Sequence, residues 1–144
     1  MICVDASVAA KWLFAEQQSA QADELLLVAL ENRESIVAPP LLPGEVANII
    51  RQRLRQGYLP LGDARALLAQ FLAVPISIQT PETLFDRALV LADQYSLPAI
   101  YDAQYIAIAE ILGATLWTAD QRLLRDLGGQ LPFVRSIVDY GTGC

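Results

Sequence analysis

Four carboxylates, Asp5, Glu45, Asp102 and Asp120, hold most of the chemical potential of this 144-residue chain. Gathered at one place they would repel one another and raise their own pKa values unless a divalent cation offset the repulsion. Oxygen-only ligands, in a chain without a single histidine, suit Mg²⁺ or Mn²⁺ rather than zinc. Such ions orient and deprotonate a water for attack on a phosphodiester and stabilise the leaving oxygen. Asp102 stands out within the set. Its neighbours at i+4 and i+7 are Ile106 and Ala109, so its carboxylate projects along a stripe that otherwise belongs to the core. A bare buried carboxylate is costly and calls for a cation or hydrogen-bond donors.

The elements that must position these acids alternate. Met1 to Val4 is an apolar run ending in Asp5, the pattern of a buried first strand. Ser7 is a candidate cap for a short helix over Val8 to Phe14, and a longer helix follows with Ala22, Leu25, Leu26, Ala29 and Leu30 on one face. Ile36 to Ala38 is the second strand, and its exit is punctuated by Pro39, Pro40 and Pro43. The helix that starts near Pro43 carries Glu45 in its first turn and runs to Gly57. A further helix spans about Leu61 to Leu72, and Val74 to Ile78 makes the third strand. Thr80 and Pro81 read as the N-cap and first residue of a helix through Leu84, Ala88, Leu91 and Tyr95.

Beyond Pro98, residues Ala103 to Leu112 are apolar nearly all round and stop at Gly113, which reads as a buried helix with a C-terminal glycine. Thr115 to Thr118 follows as a short buried strand that leads to Asp120. A helix of about eleven residues descends roughly 16 Å, and four or five strand residues climb back about the same distance. Asp102 and Asp120 therefore return to one level. A short helix over Gln121 to Leu127 and a last strand at Pro132 to Ile137 complete the chain. Strands alternating with helices imply an α/β fold, a parallel sheet covered on both faces. All four acids then lie at its carboxyl edge, where open α/β sheets bind ligands.

Each acid also has an ordinary explanation. Asp5 and Asp120 could cap the helices after them, and Glu45 could sit where a helix dipole favours an acid. If Pro98 is the first helical residue, Asp102 lies in the second turn, past the cap positions. Arg51, Arg53 and Arg55 form the only basic run. They read first as an exposed helix end and otherwise as a lip for RNA phosphates. Trp12 reads as packing rather than a stacking platform for bases.

Composition sets the outer limits. The chain suits one domain. Its apolar content is 54% and its mean hydropathy +0.36, yet no apolar run approaches the roughly 18 residues of a membrane span. No targeting segment is visible at Met1, so the cytoplasm is the expected location. Cys3, in a strand, and the terminal Cys144 make no disulfide framework. A net charge of −6 argues against coating nucleic acid through phosphate contacts, but not against local capture through metal ions.

Asp5-Ala6-Ser7-Val8 with Lys11-Trp12 and Glu16, then Pro39-Pro40, Glu45-Val46-Ala47-Asn48, Tyr101-Asp102-Ala103 and Thr118-Ala119-Asp120, resemble a PIN domain, specifically the VapC-type ribonuclease toxins. The resemblance spans residues 1–138 as a single domain and leaves 139–144 as a C-terminal tail. It implies a three-layer α/β/α fold with a central parallel sheet and Mg²⁺- or Mn²⁺-dependent endonucleolytic cleavage of RNA. It also implies homodimers and inhibition by a small VapB-type antitoxin. By that match Asp5, Glu45, Asp102 and Asp120 form the catalytic, metal-binding set, with Ser7, Asn48 and Thr118 as supporting hydroxyl and amide groups. PIN domains also serve in RNA processing, so the fold alone does not imply a toxin.

Two rival classes remain in view. A receiver-like phosphoacceptor domain would want paired acids after the first strand and a lysine late in the sheet, whereas Lys11 is the only lysine. A catalytically silent module could use the same acids to recognise a basic peptide.

Overall fold

The computed structural model describes residues 1–141; the last three positions of the expected tail, Cys144 among them, lie outside the described residues. Five strands, β1 (Ile2–Val4), β2 (Ile36–Ala38), β3 (Ile76–Ile78), β4 (Thr115–Thr118) and β5 (Val134–Ser136), form one sheet in the order β3-β2-β1-β4-β5. Every pairing is parallel. The helices are α1 (Ala6–Leu13), α2 (Ser19–Glu31), α3 (Leu42–Arg55), α4 (Leu61–Leu72), α5 (Leu84–Gln94), α6 (Ile100–Leu112) and α7 (Gln121–Leu127). A 3₁₀ turn at Ile137–Asp139 follows β5.

Strand alternation divides the interior into two cores. Cys3 and Leu116, paired in register, face a large cluster with Val46 and Ile50 of α3, Leu84 and Leu91 of α5, and Ile106 and Ile108 of α6. Ile2, Val4 and Trp117 face the other side, with Val8 of α1, Ala22, Leu25 and Ala29 of α2, and Ile137. This is the expected three-layer α/β/α arrangement, with β1 central. Tyr140 packs edge-on against Trp117, ring centroids 5.0 Å apart. No described helix is long and apolar enough to cross a membrane.

Three helix starts differ from the sequence reading. Helix α1 begins at Ala6, and its N-cap is Asp5 rather than Ser7. Thr80 and Pro81 do not open α5. The Pro81 carbonyl instead closes a turn by accepting from Leu84 N at 3.0 Å, and the helix begins where fully buried Leu84 anchors it to the core. Pro98 does not open α6 either. The Ala92 carbonyl accepts from Leu97 N at 2.8 Å and Ser96 takes a left-handed conformation, φ 53°, so the chain leaves α5 in a tight reversal. Ala99 is then extended and α6 starts at Ile100. Asp102 consequently lies in the first turn, not the second, where the helix dipole favours an acid. Gly113, at φ 69°, ends α6 in the left-handed conformation that glycine adopts most easily.

Candidate active site

Asp5 leaves the central strand at its carboxyl end and is 6% exposed. Both of its oxygens are occupied. Oδ1 accepts from Ser7 Oγ at 2.5 Å and from Val8 N at 3.2 Å, and Oδ2 accepts from the hydroxyl of Thr118, at the end of the neighbouring strand β4. The donors are themselves tied down: Ala119 N donates to Ser7 Oγ at 2.9 Å and Asp120 N to Thr118 Oγ1 at 3.0 Å. Parallel pairing of β1 with β4 creates this corner, because it puts Asp5, Ser7, Thr118 and Asp120 at the same edge.

Glu45 and Asp102 stand half-buried on α3 and α6. Glu45 Oε1 accepts from the Tyr105 hydroxyl at 2.5 Å. Asp102 accepts no hydrogen bond among the described residues, so of the cation or donors expected for it the described residues supply no donor. Asp120 is the N-cap of α7, its Oδ1 accepting from Arg122 N at 3.0 Å and Leu123 N at 3.2 Å. The capping explanation therefore holds geometrically for Asp5 and Asp120.

Charge links the four acids. Burial, opposed by the Ser7, Thr118 and Val8 donors, still raises the Asp5 carboxyl from 3.8 to about 6, and the charge of Asp102 adds to the rise. Glu45 is raised by burial, with Tyr105 opposing and Asp102 adding. Asp102 is raised by burial and then by Asp120, while Arg122 offsets part of the effect. Asp102 is thus the shared neighbour through which the set repels itself.

The donor set is all oxygen and carries repulsion that a hard cation would relieve. Among the described residues, however, no three acids close up tightly enough to hold a metal ion by themselves. A carboxylate has about four lone-pair sites, so Glu45 and Asp120 each keep an uncommitted oxygen and Asp102 keeps two. Mg²⁺ usually retains several waters and takes only one or two carboxylates directly. The residues therefore fit a partly hydrated cation and not a closed cage of protein ligands.

Of the supporting residues read from sequence, Ser7 and Thr118 join the site through Asp5. Asn48 does not: it is exposed on α3 without a hydrogen bond to any described residue. Trp12 packs against both cores and donates from Nε1 to the Ala22 carbonyl at 2.9 Å. Arg53 pairs with Glu16 at 2.9 Å and covers the Phe14 ring, while Arg51 and Arg55 are exposed. Sequence reasoning missed Tyr105. The signal was available, since a tyrosine inside an otherwise apolar buried helix needs an acceptor for its hydroxyl.

A family model described as PIN domain matches residues 2–129. The chain is 32% identical over 123 residues to "VapC ribonuclease Mb0985" of Mycobacterium bovis and to "Ribonuclease VapC9" of Mycobacterium tuberculosis, covering 85% of this chain and 88% of each relative. It is 28% identical over 124 residues to "Ribonuclease VapC3" of Pyrobaculum aerophilum, covering 85% of this chain and 91% of that one. Its fold matches the crystal structure of PAE2754 from Pyrobaculum aerophilum with a TM-score of 0.69 at 23% identity, over 99% of this chain and 97% of the other. With a family model over nearly its whole length and VapC relatives over most of it, the chain belongs to the PIN domain family, among its VapC-type members.

Proposed function

We propose that this protein is a divalent-metal-dependent endoribonuclease that hydrolyses RNA phosphodiesters, the toxin of a VapBC-type pair. The observation that carries the reading is Asp102: it accepts no hydrogen bond among the described residues, yet its charge acts on Asp5 and Glu45 while it is itself raised by burial and then by Asp120. In this reading Asp5, Asp102 and Asp120 hold the principal Mg²⁺ or Mn²⁺, and Glu45 completes the site or serves a second ion. The bound ion supplies a water of lowered pKa and neutralises charge on the phosphate. Ser7 and Thr118 keep Asp5 oriented, and the α7 N-terminus keeps Asp120 in place. A water attacking phosphorus in line would form one P–O bond as the ester P–O bond breaks, and the proton the water gives up to solvent would balance the one the leaving oxygen takes from it. The relatives' names support RNA as substrate, and the resemblance to VapC-type proteins implies a VapB-type antitoxin as partner. A homodimer in the cytoplasm completes the proposal.

A second reading, a catalytically silent PIN-fold module, is favoured by one observation: no three acids close up into a metal-holding group among the described residues. A panel of structured RNAs incubated with purified protein and Mn²⁺ or Mg²⁺, beside EDTA and Asp102→Asn controls, separates the two. Cleavage that needs both the ion and Asp102 is expected. A folded Asp102→Asn protein with unchanged Mn²⁺ affinity would remove Asp102 from the site, and a wild-type protein that binds no Mn²⁺ would leave the silent module.

A further inference from the structure

We infer that Tyr105 is a positioning residue for Glu45, holding that carboxylate in the orientation the proposed cation site requires. The inference rests on the metal-site reading above. Tyr105 lies three residues beyond Asp102 on α6, so one helix face carries both an acid and the hydroxyl that holds a second acid. It is 2% exposed. Its hydroxyl donates to Glu45 Oε1 at 2.5 Å across 60 residues of sequence. The main chain around it is anchored too, the Tyr105 carbonyl accepting from Cys3 Sγ of the central strand at 3.9 Å.

A phenylalanine would fill the apolar part of this space as well as tyrosine does. The hydroxyl has a separate use. Glu45 is half-buried at the edge of the sheet, and an untethered glutamate there has rotamers that turn it into solvent, so ordering it on a ligand costs conformational entropy. An O–H to carboxylate bond is among the stronger hydrogen bonds. With Oε1 held, Oε2 remains for an ion or for one of its waters. Partners that orient a ligand in this way typically govern metal affinity by tenfold to a hundredfold.

The test is Mn²⁺ binding by calorimetry to the purified full chain, in the absence of RNA. Tyr105→Phe is expected to weaken Mn²⁺ binding roughly tenfold or more while the far-ultraviolet circular dichroism stays unchanged. In a Glu45→Gln background the same substitution is expected to add nothing, because Tyr105 acts through Glu45. Wild-type affinity in Tyr105→Phe would overturn the inference, and so would an equal loss in both backgrounds. Should Tyr105→Phe fail to fold, Glu45→Asp keeps the charge and shortens the side chain by one methylene, so it cannot keep both the Tyr105 contact and the position of the free oxygen. It is expected to bind Mn²⁺ as weakly, and full retention overturns the inference. A wild-type chain that takes no Mn²⁺ instead brings down the metal-site reading on which the inference stands.

Discussion

At the Asp5 corner both carboxylate oxygens accept hydrogen bonds from the chain and the side chain is 6% exposed. Along the same edge of the sheet, Asp102 is half-buried and accepts none from the described residues. The difference is one of construction. The Ser7 and Thr118 hydroxyls and the α1 N-terminus surround Asp5 with donors, and burial still raises it to about 6. Glu45, Asp102 and Asp120 carry their charges on helix first turns and caps, with oxygens left over. A protein surface that only needed helix caps would have no reason to bring such charges within range of one another. The corner reads as an acid already held in place by its donors, and the rim as the acids with oxygens to spare.

The largest expected effect tests the corner through pH. A buried acid raised from 3.8 to about 6 binds its proton more readily folded than unfolded. It stabilises the fold fully below pH 4, and that stabilisation is lost as pH rises through 6. In metal-free urea unfolding, wild type should lose roughly 2 kcal/mol relative to Asp5→Asn between pH 4 and pH 7. Parallel pH profiles for the two proteins would mean that Asp5 has an ordinary carboxyl pKa.

Next, Thr118→Val removes one donor to Asp5 while preserving shape, and should cost about 2 kcal/mol at pH 7. Asp102→Asn should change metal-free stability by no more than about 0.5 kcal/mol, because relief of repulsion offsets the lost dipole contact. A comparable loss in both proteins would erase the distinction between corner and rim. Addition of Mn²⁺ should raise the melting temperature of wild type in a concentration-dependent way and leave Asp102→Asn where it was.

Smaller effects follow on the rim. Asp120→Asn retains a good N-cap and should cost only a few tenths of a kcal/mol, whereas Asp120→Ala should cost about 1 kcal/mol. Both should weaken Mn²⁺ binding if the uncommitted oxygen is the one that serves the ion. Asn48→Ala, at an exposed position, should stay within about 0.5 kcal/mol of wild type. A larger loss would give Asn48 a role that its surroundings do not suggest.

The strand and helix order, the buried α6 closed by Gly113, and the arrival of four acids at one edge of a parallel sheet were all legible in the residues alone. These are matters of hydrophobic period and chain length, and both are written locally. Helix starts were less legible. Pro81 and Pro98 looked like first helical residues, but buried Leu84 and the α5 C-terminal reversal moved both starts downstream, and with them Asp102 into a first turn. Which donors meet which acids was settled by the assembled fold. The Thr118 hydroxyl finds Asp5 across 113 residues and the Tyr105 hydroxyl finds Glu45 across 60, because the pairing of β1 with β4 and the burial of α3 and α6 in one core close those distances. No local propensity encodes a contact between side chains so far apart in the chain, so the partner of Tyr105 became visible only when the layers were assembled.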